Sequence, residues 1–399
     1  MKLLIAVLAV SLPALPGCSN NPVPRKPFDC TPQPPAGLLQ SKAKPEELTG
    51  KYIVVLRRPV GARMLAAPEV QSVAAAMTAQ WGLHEVKSLG LGFVAAATVE
   101  AATQIALDPR VQYVQPETTK SIGPPIKAKD ATSVWGLDRI DQRDLPLDAK
   151  YDPGATGKDV HLFGVDTGIN CDEEDLGGRC GEGHSAIGGT PEDGHGHGTH
   201  TAGTMVGTKY GVAKEATIHP CRFLDRQGSG TDSGAVECIE WVAKMCKDNN
   251  WHCIENNSWG GSISQAVDDA MCRSIEAGIV QANAAGNSNL KACNYSPSRI
   301  GLALVSGASD DRDNPASFSN DGECLSVYAP GVDVESIGGT MSGTSMASPH
   351  SAGVAALCWA RHPELDAAGV KACVVDHATP GKIGDGGDTT QALLYAKEP

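Results

Sequence analysis

The stretch GTSMASPHSAG, residues 343–353, passes from a glycine-containing loop into a run of small residues that predicts a helix continuing towards Leu357. Ser345 lies where that helix begins. Free backbone N–H groups and the positive end of the helix dipole meet there, so negative charge developing on a nearby substrate oxygen is stabilised. A serine hydroxyl is a weak nucleophile unless a base, itself oriented by a third group, takes its proton. The stretch therefore predicts a nucleophile that needs a histidine and an aspartate from elsewhere in the chain.

Taken alone, Gly-Thr-Ser could also mark an ordinary helix start with no catalytic role, because Ser and Thr are favoured N-caps. The longer string Gly-Thr-Ser-Met-Ala-Ser-Pro-His, followed by Ala-Gly, resembles the serine motif of the subtilisin-like serine proteases, the subtilases. The nucleophile elbow of α/β-hydrolases, Gly-x-Ser-x-Gly, is not matched, because Ala347 stands where its second glycine belongs. The resemblance implies that Ser345 is the catalytic nucleophile.

Two upstream motifs offer the other two groups. The apolar run at 158–165 predicts a buried strand that delivers Asp166 at its carboxyl end, where catalytic groups of α/β sheets gather. Asp166-Thr-Gly-Ile resembles the subtilase aspartate motif, and His197-Gly-Thr-His-Thr-Ala-Gly resembles the histidine motif. The resemblance implies that His197 is the base and that Asp166 orients it. The order Asp166, His197, Ser345 is also the chain order of subtilisin.

Three histidines at 195, 197 and 200 support a second interpretation. His-x-His-x-x-His resembles the zinc cluster of metallo-β-lactamase-type hydrolases, and histidine is a common metal ligand. Against a zinc-dependent hydrolase built on His195, His197 and His200, Thr199 replaces the acidic residue that usually precedes the last histidine. A non-catalytic binding protein on the same fold is the other alternative. Degenerate copies of that kind normally lose a triad member, whereas this chain keeps all three.

Two further segments resemble the walls between which subtilases clamp a peptide as an added strand. They are Gly228-Ser229-Gly230 and Ser258-Trp259-Gly260. Main-chain recognition of this kind tolerates many sequences, so broad specificity is expected. Trp259 stands where many relatives carry Leu, which implies a narrower or more aromatic side-chain pocket.

The segment Ala284-Ala285-Gly286-Asn287 resembles the subtilase oxyanion motif, although asparagine in a glycine-rich loop is usually a turn former. The resemblance implies that the Asn287 amide and the Ser345 N–H stabilise the tetrahedral intermediate. It also implies that Ala284, Ala285 and Gly286 form one wall of the primary specificity pocket.

Strand-like and helix-like segments alternate along the second part of the chain, which predicts an α/β doubly wound parallel sheet flanked by helices. The resemblance places this subtilisin-like catalytic domain at residues 134–395. A chain of 399 residues, 41% of them hydrophobic, has room for this domain and a smaller one. Its formal charge of -13 argues against nucleic acid and anionic membrane surfaces as partners.

The smaller unit is predicted at residues 48–118, with strands at 52–56, 93–99 and 111–114 and helices at 70–81 and 100–107. Its segments resemble the ferredoxin-like α+β propeptide of subtilases, which acts as an intramolecular inhibitor. The resemblance places the processing cut between Glu117 and Val134, so that residues 119–133 form a processing linker.

The first 18 residues predict a secretory signal, because a charged start precedes an apolar run too short to span a bilayer. Leu15-Pro16-Gly17-Cys18 resembles a bacterial lipobox, which implies a lipid anchor on Cys18 at a cell envelope; an ordinary signal cleaved nearby is the alternative. A proline-rich linker follows at 19–47. Export to an oxidising compartment predicts that several of the thirteen cysteines form disulfides.

Eleven cysteines lie from Cys171 to Cys373, an odd number, so one stays unpaired unless Cys30 reaches across. Cys293 and Cys324 match a disulfide of the bacterial proteinase K branch of the family. The short separations Cys171 to Cys180 and Cys246 to Cys253 suggest two local bridges.

Four oxygen-bearing side chains near the start of the catalytic domain suit Ca²⁺: Asp138, Asp141, Gln142 and Asp148. Some bacterial members of the proteinase K branch bind calcium with this segment. A solvated acidic loop is the alternative, and the nearby Lys150 favours it.

The sequence thus predicts a secreted monomeric serine endopeptidase, made as a zymogen, that acts on proteins or peptides without a catalytic cofactor.

Overall fold

The computed structural model describes residues 26–28, 30, 37–58, 65–129, 134–384 and 389–397. The predicted signal and lipobox, with Cys18, lie outside these residues. The strands are β1 (Leu48–Leu56), β2 (His84–Leu89), β3 (Gly92–Ala96), β4 (Val111–Ser121), β5 (Val160–Asp166), β6 (His184–Ser185), β7 (Thr217–Arg222), β8 (Ser229–Thr231), β9 (His252–Asn257), β10 (Val280–Ala284), β11 (Leu304–Ser309), β12 (Val327–Pro330), β13 (Val334–Ser336) and β14 (Gly339–Met341). The helices are α1 (Ala67–Trp81), α2 (Val99–Ile105), α3 (Trp135–Ile140), α4 (His197–Val206), α5 (Asp232–Asn249), α6 (Gln265–Glu276), α7 (Thr344–Arg361) and α8 (Ala367–His377).

Seven parallel strands form the central sheet, in the order β12-β11-β10-β9-β5-β7-β6. Its two faces are buried under different helices, because alternate side chains of each strand point to opposite sides. On β5, Leu162 belongs to the core under α4, α7 and α8, whereas Phe163 belongs to the core under α5 and α6. The predicted doubly wound α/β fold is confirmed.

Helix α7, which contains residues 344–353 of the serine motif, is buried along most of its length: every residue from Thr344 to Trp359 is buried. It packs across β9, β10, β11 and β12. Small side chains make this close approach feasible. At Gly353 a Cβ would lie among the side-chain atoms of Val212, so no larger residue fits without displacement.

Residues 48–121, which we call the N-terminal unit, form an antiparallel sheet in the order β2-β3-β1-β4. Strand β1 alternates between two cores: Val54 and Leu56 face α1 and α2, whereas Ile53 and Val55 join the core that contains α5 and α6. The unit therefore docks on those two helices of the main unit, residues 134–397. The sequence pattern did not predict β2. It predicted that the last strand ends at Val114, whereas β4 continues to Ser121 and pairs with β8 of the main unit.

Six disulfides join all twelve cysteines of the described residues. The pairs are Cys30–Cys272, Cys171–Cys180, Cys221–Cys238, Cys246–Cys253, Cys293–Cys324 and Cys358–Cys373. Cys30 does reach across to the main unit, which resolves the odd count of the sequence analysis. None of the helices in the described ranges combines the length and apolar character needed to cross a bilayer.

Candidate active site

An aspartate, a histidine and a serine lie where secondary-structure elements begin or end. Strand β5 ends at Asp166, α4 begins at His197, and Ser345 is the second residue of α7. Asp166 has an exposed fraction of 0%, and His197 and Ser345 are each only 5% exposed. The Nδ1 atom of His197 lies 2.8 and 2.9 Å from the two carboxylate oxygens of Asp166. An ionised carboxylate only accepts hydrogen bonds, so Nδ1 carries the proton and Nε2 is left as the basic nitrogen.

The hydroxyl of Ser345 donates to the carbonyl oxygen of Ser258, at 3.1 Å. The hydroxyl of Ser258 in turn donates to the carbonyl oxygen of Ser345, at 2.9 Å. Pro349 explains the second bond: it stands four residues after Ser345, lacks the N–H that would normally reach that carbonyl, and leaves it open to Ser258. The helix start and the predicted substrate segment at 258–260 are therefore locked together.

The predicted oxyanion donor is held by a residue that the sequence analysis did not assign. The Oδ1 atom of Asn287 accepts from both the backbone N–H and the hydroxyl of Thr344, each at 2.8 Å. This orientation leaves the Asn287 amide N–H groups as the donors available to a substrate oxygen. The Thr344 hydroxyl also accepts from the N–H of Gly286, at 3.0 Å. Gly286 has a φ of 103°, and a Cβ there would collide with the side chain of Asn320.

Asp193 fixes the loop that leads to His197, a second role that the sequence analysis did not assign. Its carboxylate accepts from the N–H groups of His195, Gly196 and Thr199 at 2.8 to 2.9 Å, and from the hydroxyl of Thr167 at 2.8 Å. Burial by itself would raise the pKa of Asp193, but these hydrogen bonds outweigh burial and hold the pKa below its ordinary value. An acidic residue placed three positions before Gly196, the N-cap of α4, was the available sequence signal.

A strand occupies the groove between the two predicted clamp segments. Residues Thr119 to Ser121 of β4 pair antiparallel with β8, and Ser121 exchanges two backbone hydrogen bonds of 3.0 Å with Gly260. The N–H of Ile122 then donates to the carbonyl of Gly228, at 3.1 Å. We call residues 118–129 the tail. Its first part lies in the groove as an added strand.

The other predicted substrate-binding residues fall into two groups. Ala284 ends β10 and Ala285 follows it; both are buried, and the N–H of Ala285 donates to the carbonyl of Ser306 in β11. Trp259 is only 3% exposed, and its ring packs edge-on against Phe223 with centroids 4.9 Å apart. With the tail in the groove, the Trp259 indole therefore packs in the core behind the groove.

The three histidines of the zinc interpretation do not converge. His195 is exposed, with its ring centroid 6.4 Å from that of His197. His200 is fully buried and its Nε2 donates to the carbonyl of Val334, at 3.2 Å. Burial, with a smaller effect of His197, lowers the pKa of His200 to about 3. In the ranges that the structure describes, no group of three or more His, Cys, Asp or Glu side chains is placed to hold a metal ion.

The four predicted calcium ligands are hydrogen-bonded to nearby backbone groups. Both Asp138 oxygens accept from the N–H groups of Asp148 and Ala149, and one Asp141 oxygen accepts from the N–H of Asp152. Gln142 uses its amide nitrogen, not its oxygen, on neighbouring carbonyls. The Asp148 carboxylate accepts from the N–H of Lys150. These carboxylates cap turns of the backbone instead of forming a shared donor set.

Comparison with known proteins identifies the class. A family model described as the subtilase family matches residues 157–394, more than half of the chain. The chain therefore belongs to the subtilase family of serine proteases. An extracellular serine proteinase of Thermus sp. (strain Rt41A) is 38% identical over 97% of this chain and 97% of its own length. Alkaline serine exoprotease A of Vibrio alginolyticus is 37% identical over 88% of this chain and 68% of its own length.

A solved structure supports the same assignment. The crystal structure of a cold-adapted subtilisin-like serine proteinase is 41% identical in sequence, with a TM-score of 0.64. The match covers 67% of this chain and 100% of that one.

Proposed function

We propose that this protein is a secreted serine endopeptidase in which Ser345, His197 and Asp166 form the catalytic triad. The observation that carries the proposal is the hydrogen bond between the buried Asp166 carboxylate and Nδ1 of His197. His197 begins α4, and α4 packs against α7, whose second residue is Ser345. Asp166 holds the tautomer in which Nε2 can accept the serine proton, and it stabilises the imidazolium that follows.

The proposed reaction begins when the Ser345 hydroxyl turns from the carbonyl of Ser258 towards His197 and attacks the substrate carbonyl. His197 takes the proton and returns it to the leaving amine. The Asn287 amide and the N–H of Ser345 stabilise the oxyanion. Water then hydrolyses the acyl-enzyme by the same proton relay, which regenerates Ser345.

Cleavage inside chains, not at their ends, is supported by the path of the tail. After the groove, Ile126 pairs with Ser342, and the N–H of Lys129 donates to Asp333 at 2.8 Å. A polypeptide therefore extends on both sides of Ser345. A site that accepts a chain passing through it suits an endopeptidase, because an exopeptidase must recognise a terminus.

The N-terminal unit is proposed to be the inhibitor of a zymogen. Its tail fills the groove, and its strand β4 caps the helices on which it docks. Glu117 accepts from the N–H of Ser233 in the first turn of α5, and Gln115 accepts from the N–H of Ala266 in the first turn of α6. Cleavage between Glu117 and Val134 would cut the peptide chain between the two units. Six disulfides and the name of the extracellular Thermus relative support secretion.

The test compares casein hydrolysis by the wild type, Ser345→Ala, Asp166→Asn and Asn287→Ala. We expect no hydrolysis by Ser345→Ala and a loss in kcat of roughly 100- to 1,000-fold for Asn287→Ala, a range that comes from subtilisin itself. Ser288→Ala, in the same loop but with an exposed side chain, is the matched control. Full activity of a folded Ser345→Ala variant would refute the triad.

Covalent labelling distinguishes the proposal from the two alternatives. A fluorophosphonate should label Ser345 of the processed protein. A zinc hydrolase or a non-catalytic binding protein would not be labelled at that residue. Loss of activity with a chelator is not used as a criterion, because removing a structural ion could also unfold a serine protease.

A further inference from the structure

A buried ion pair joins the tail to the wall of the groove. Nζ of Lys120 lies 2.7 Å from a carboxylate oxygen of Asp232, and both side chains have an exposed fraction of 0%. The ammonium also donates to the carbonyl of Ser262 at 2.8 Å and to the hydroxyl of Thr118 at 3.0 Å. Burying a lysine and an aspartate is unfavourable unless each is paired and hydrogen-bonded, so this arrangement is a specific match between tail and groove.

The register of the tail fixes which substrate position Lys120 represents. Ser121 lies opposite Gly260 in an antiparallel pair. Continuing that register by two residues on each strand assigns Gly123 to the position opposite Ser258. Ser258 is the residue that exchanges hydrogen bonds with Ser345. Gly123 is therefore the residue at the nucleophile. Lys120, three residues earlier, is the fourth residue on the amino-terminal side of the reacting bond.

The pocket around Lys120 belongs to the main unit and remains when the tail leaves. Asp232 is the first residue of α5, where the helix dipole favours negative charge. In the described part of the chain, the Asp232 carboxylate accepts from the N–H and the hydroxyl of Thr118 and pairs with Nζ of Lys120, and both residues belong to the tail. A Cβ at Gly261 would lie 3.0 Å from Cδ of Lys120, so glycine there leaves room for the alkyl chain. Departure of the tail leaves an acidic pocket with a carbonyl on its wall.

We propose that Asp232 makes this protease select lysine as the fourth residue before the cleaved bond. The inference rests on the proposed endopeptidase function and narrows the broad specificity expected from main-chain recognition. A substrate lysine would take the place of Lys120, with its ammonium on Asp232 and on the carbonyl of Ser262. An apolar residue there leaves a desolvated carboxylate unpaired, and an acidic residue adds repulsion.

The experiment measures kcat/KM for quenched fluorescent peptides that differ only at the fourth position, which holds lysine, norleucine or glutamate. Norleucine is the matched control, because it keeps the alkyl chain and removes the charge. We expect the lysine peptide to exceed the norleucine peptide by about tenfold or more, the value of one charged hydrogen bond in a buried site. The glutamate peptide should be the poorest of the three.

Variants assign the preference to Asp232. Asp232→Asn is combined with Lys120→Met, so that the precursor does not bury an unpaired ammonium. The lysine-to-norleucine ratio of this variant should fall to within about twofold of unity. Asp248→Asn, at the exposed far end of α5, should keep the wild-type ratio. Asp232→Lys with Lys120→Glu should prefer the glutamate peptide.

The outcomes separate the two proposals. Equal kcat/KM for the lysine and norleucine peptides in the wild type would overturn the role of Asp232. Cleavage of both peptides would still support the endopeptidase function. A lysine preference that survives in the Asp232→Asn variant also overturns it. If processed, folded protein cleaves none of the peptides, the proposed function fails and the subsite fails with it. The comparison of the three peptides with the wild-type protein does not depend on the folding of any variant.

Discussion

Cys30 is bonded to Cys272, across 242 positions of the chain. Cys30 precedes the whole N-terminal unit, whereas Cys272 lies in α6 of the main unit. Phe28 is anchored beside it: its N–H donates to the carbonyl of Arg299 at 2.7 Å, and its carbonyl accepts from Gly301 at 2.9 Å. The Phe28 ring is only 6% exposed and lies 5.0 Å from the guanidinium of Arg299. The segment before the inhibitor is thus attached to the main unit independently of the inhibitor.

This tether predicts that a single processing cut does not release the N-terminal unit. After a cut between Glu117 and Val134, the chain from Cys30 onwards stays linked to α6, so the inhibitor keeps a local concentration of about millimolar. Activation then requires reduction or a second cut between residues 31 and 47. Electrophoresis of the processed protein should show one covalent species without reductant and two after reduction.

The control for the tether is Cys30→Ser. Its N-terminal unit should separate from the main unit after processing without any reductant. Mass spectrometry of fully active wild type should find a peptide containing Cys30 attached at Cys272. Active main unit with a free Cys272 thiol would contradict the prediction.

Thr344 should act by positioning Asn287. Thr344→Val removes the hydroxyl that Asn287 Oδ1 and the Gly286 N–H both contact. The amide then keeps only the backbone N–H of Thr344 as a donor to Oδ1, so its orientation is less firmly fixed. We expect kcat to fall by about tenfold, less than for loss of the donor itself, with KM little changed. Steady-state kinetics on one peptide gives both values. Thr344→Ser keeps the hydroxyl and should restore most of kcat; equal losses in the two variants would argue for a packing effect instead.

Asp193→Ala should loosen the loop before His197. Three backbone N–H groups lose their acceptor, at a cost of about 1–2 kcal/mol in the free energy of unfolding, as for loss of a helix cap.

This stabilisation should depend on pH. The folded-state pKa of Asp193 is lowered, so its stabilisation is present above the unfolded pKa near 4 and is lost as the pH falls towards the lowered pKa. Thermal unfolding in a Ser345→Ala background measures this. Asp193→Asn retains an acceptor oxygen and should lose less; a larger loss than for alanine would contradict the account.

The sequence predicted those parts of the site that are encoded locally. Asp166 and His197 stand in short motifs at the end of β5 and the start of α4, and the structure places them within hydrogen-bond distance of each other. Contacts between distant segments were missed, because they depend on how two units dock: Lys120 meets Asp232 only when β4 pairs with β8. The calcium site stays a prediction: it was based on the number of oxygen-bearing side chains, and the structure adds that backbone N–H groups of the same turn donate to Asp138.

Glu255 should make stability fall as the pH rises. It lies on the central strand β9 with an exposed fraction of 0%, and Gln281 donates to its carboxylate at 3.0 Å. Burial raises the pKa of Glu255 to about 7, and hydrogen bonds from Gln281 and Asn257 oppose the rise only partly. The folded state therefore binds this proton more tightly than the unfolded state. Its contribution is fully present below the unfolded pKa near 4.5 and is lost as the pH rises through about 7.

Glu255→Gln cannot ionise, so it should be more stable than the wild type above pH 7. The expected gain is about 3 kcal/mol, since the wild type loses about 1.36 kcal/mol for each pH unit between 4.5 and about 7. Near pH 4 the two proteins should unfold alike. Denaturant unfolding at both pH values, with both proteins carrying Ser345→Ala to prevent self-digestion, gives the comparison. Glu276→Gln, at the exposed end of α6, should keep the wild-type pH dependence. An equal gain for Glu255→Gln at both pH values would mean that packing, not the buried charge, sets the difference.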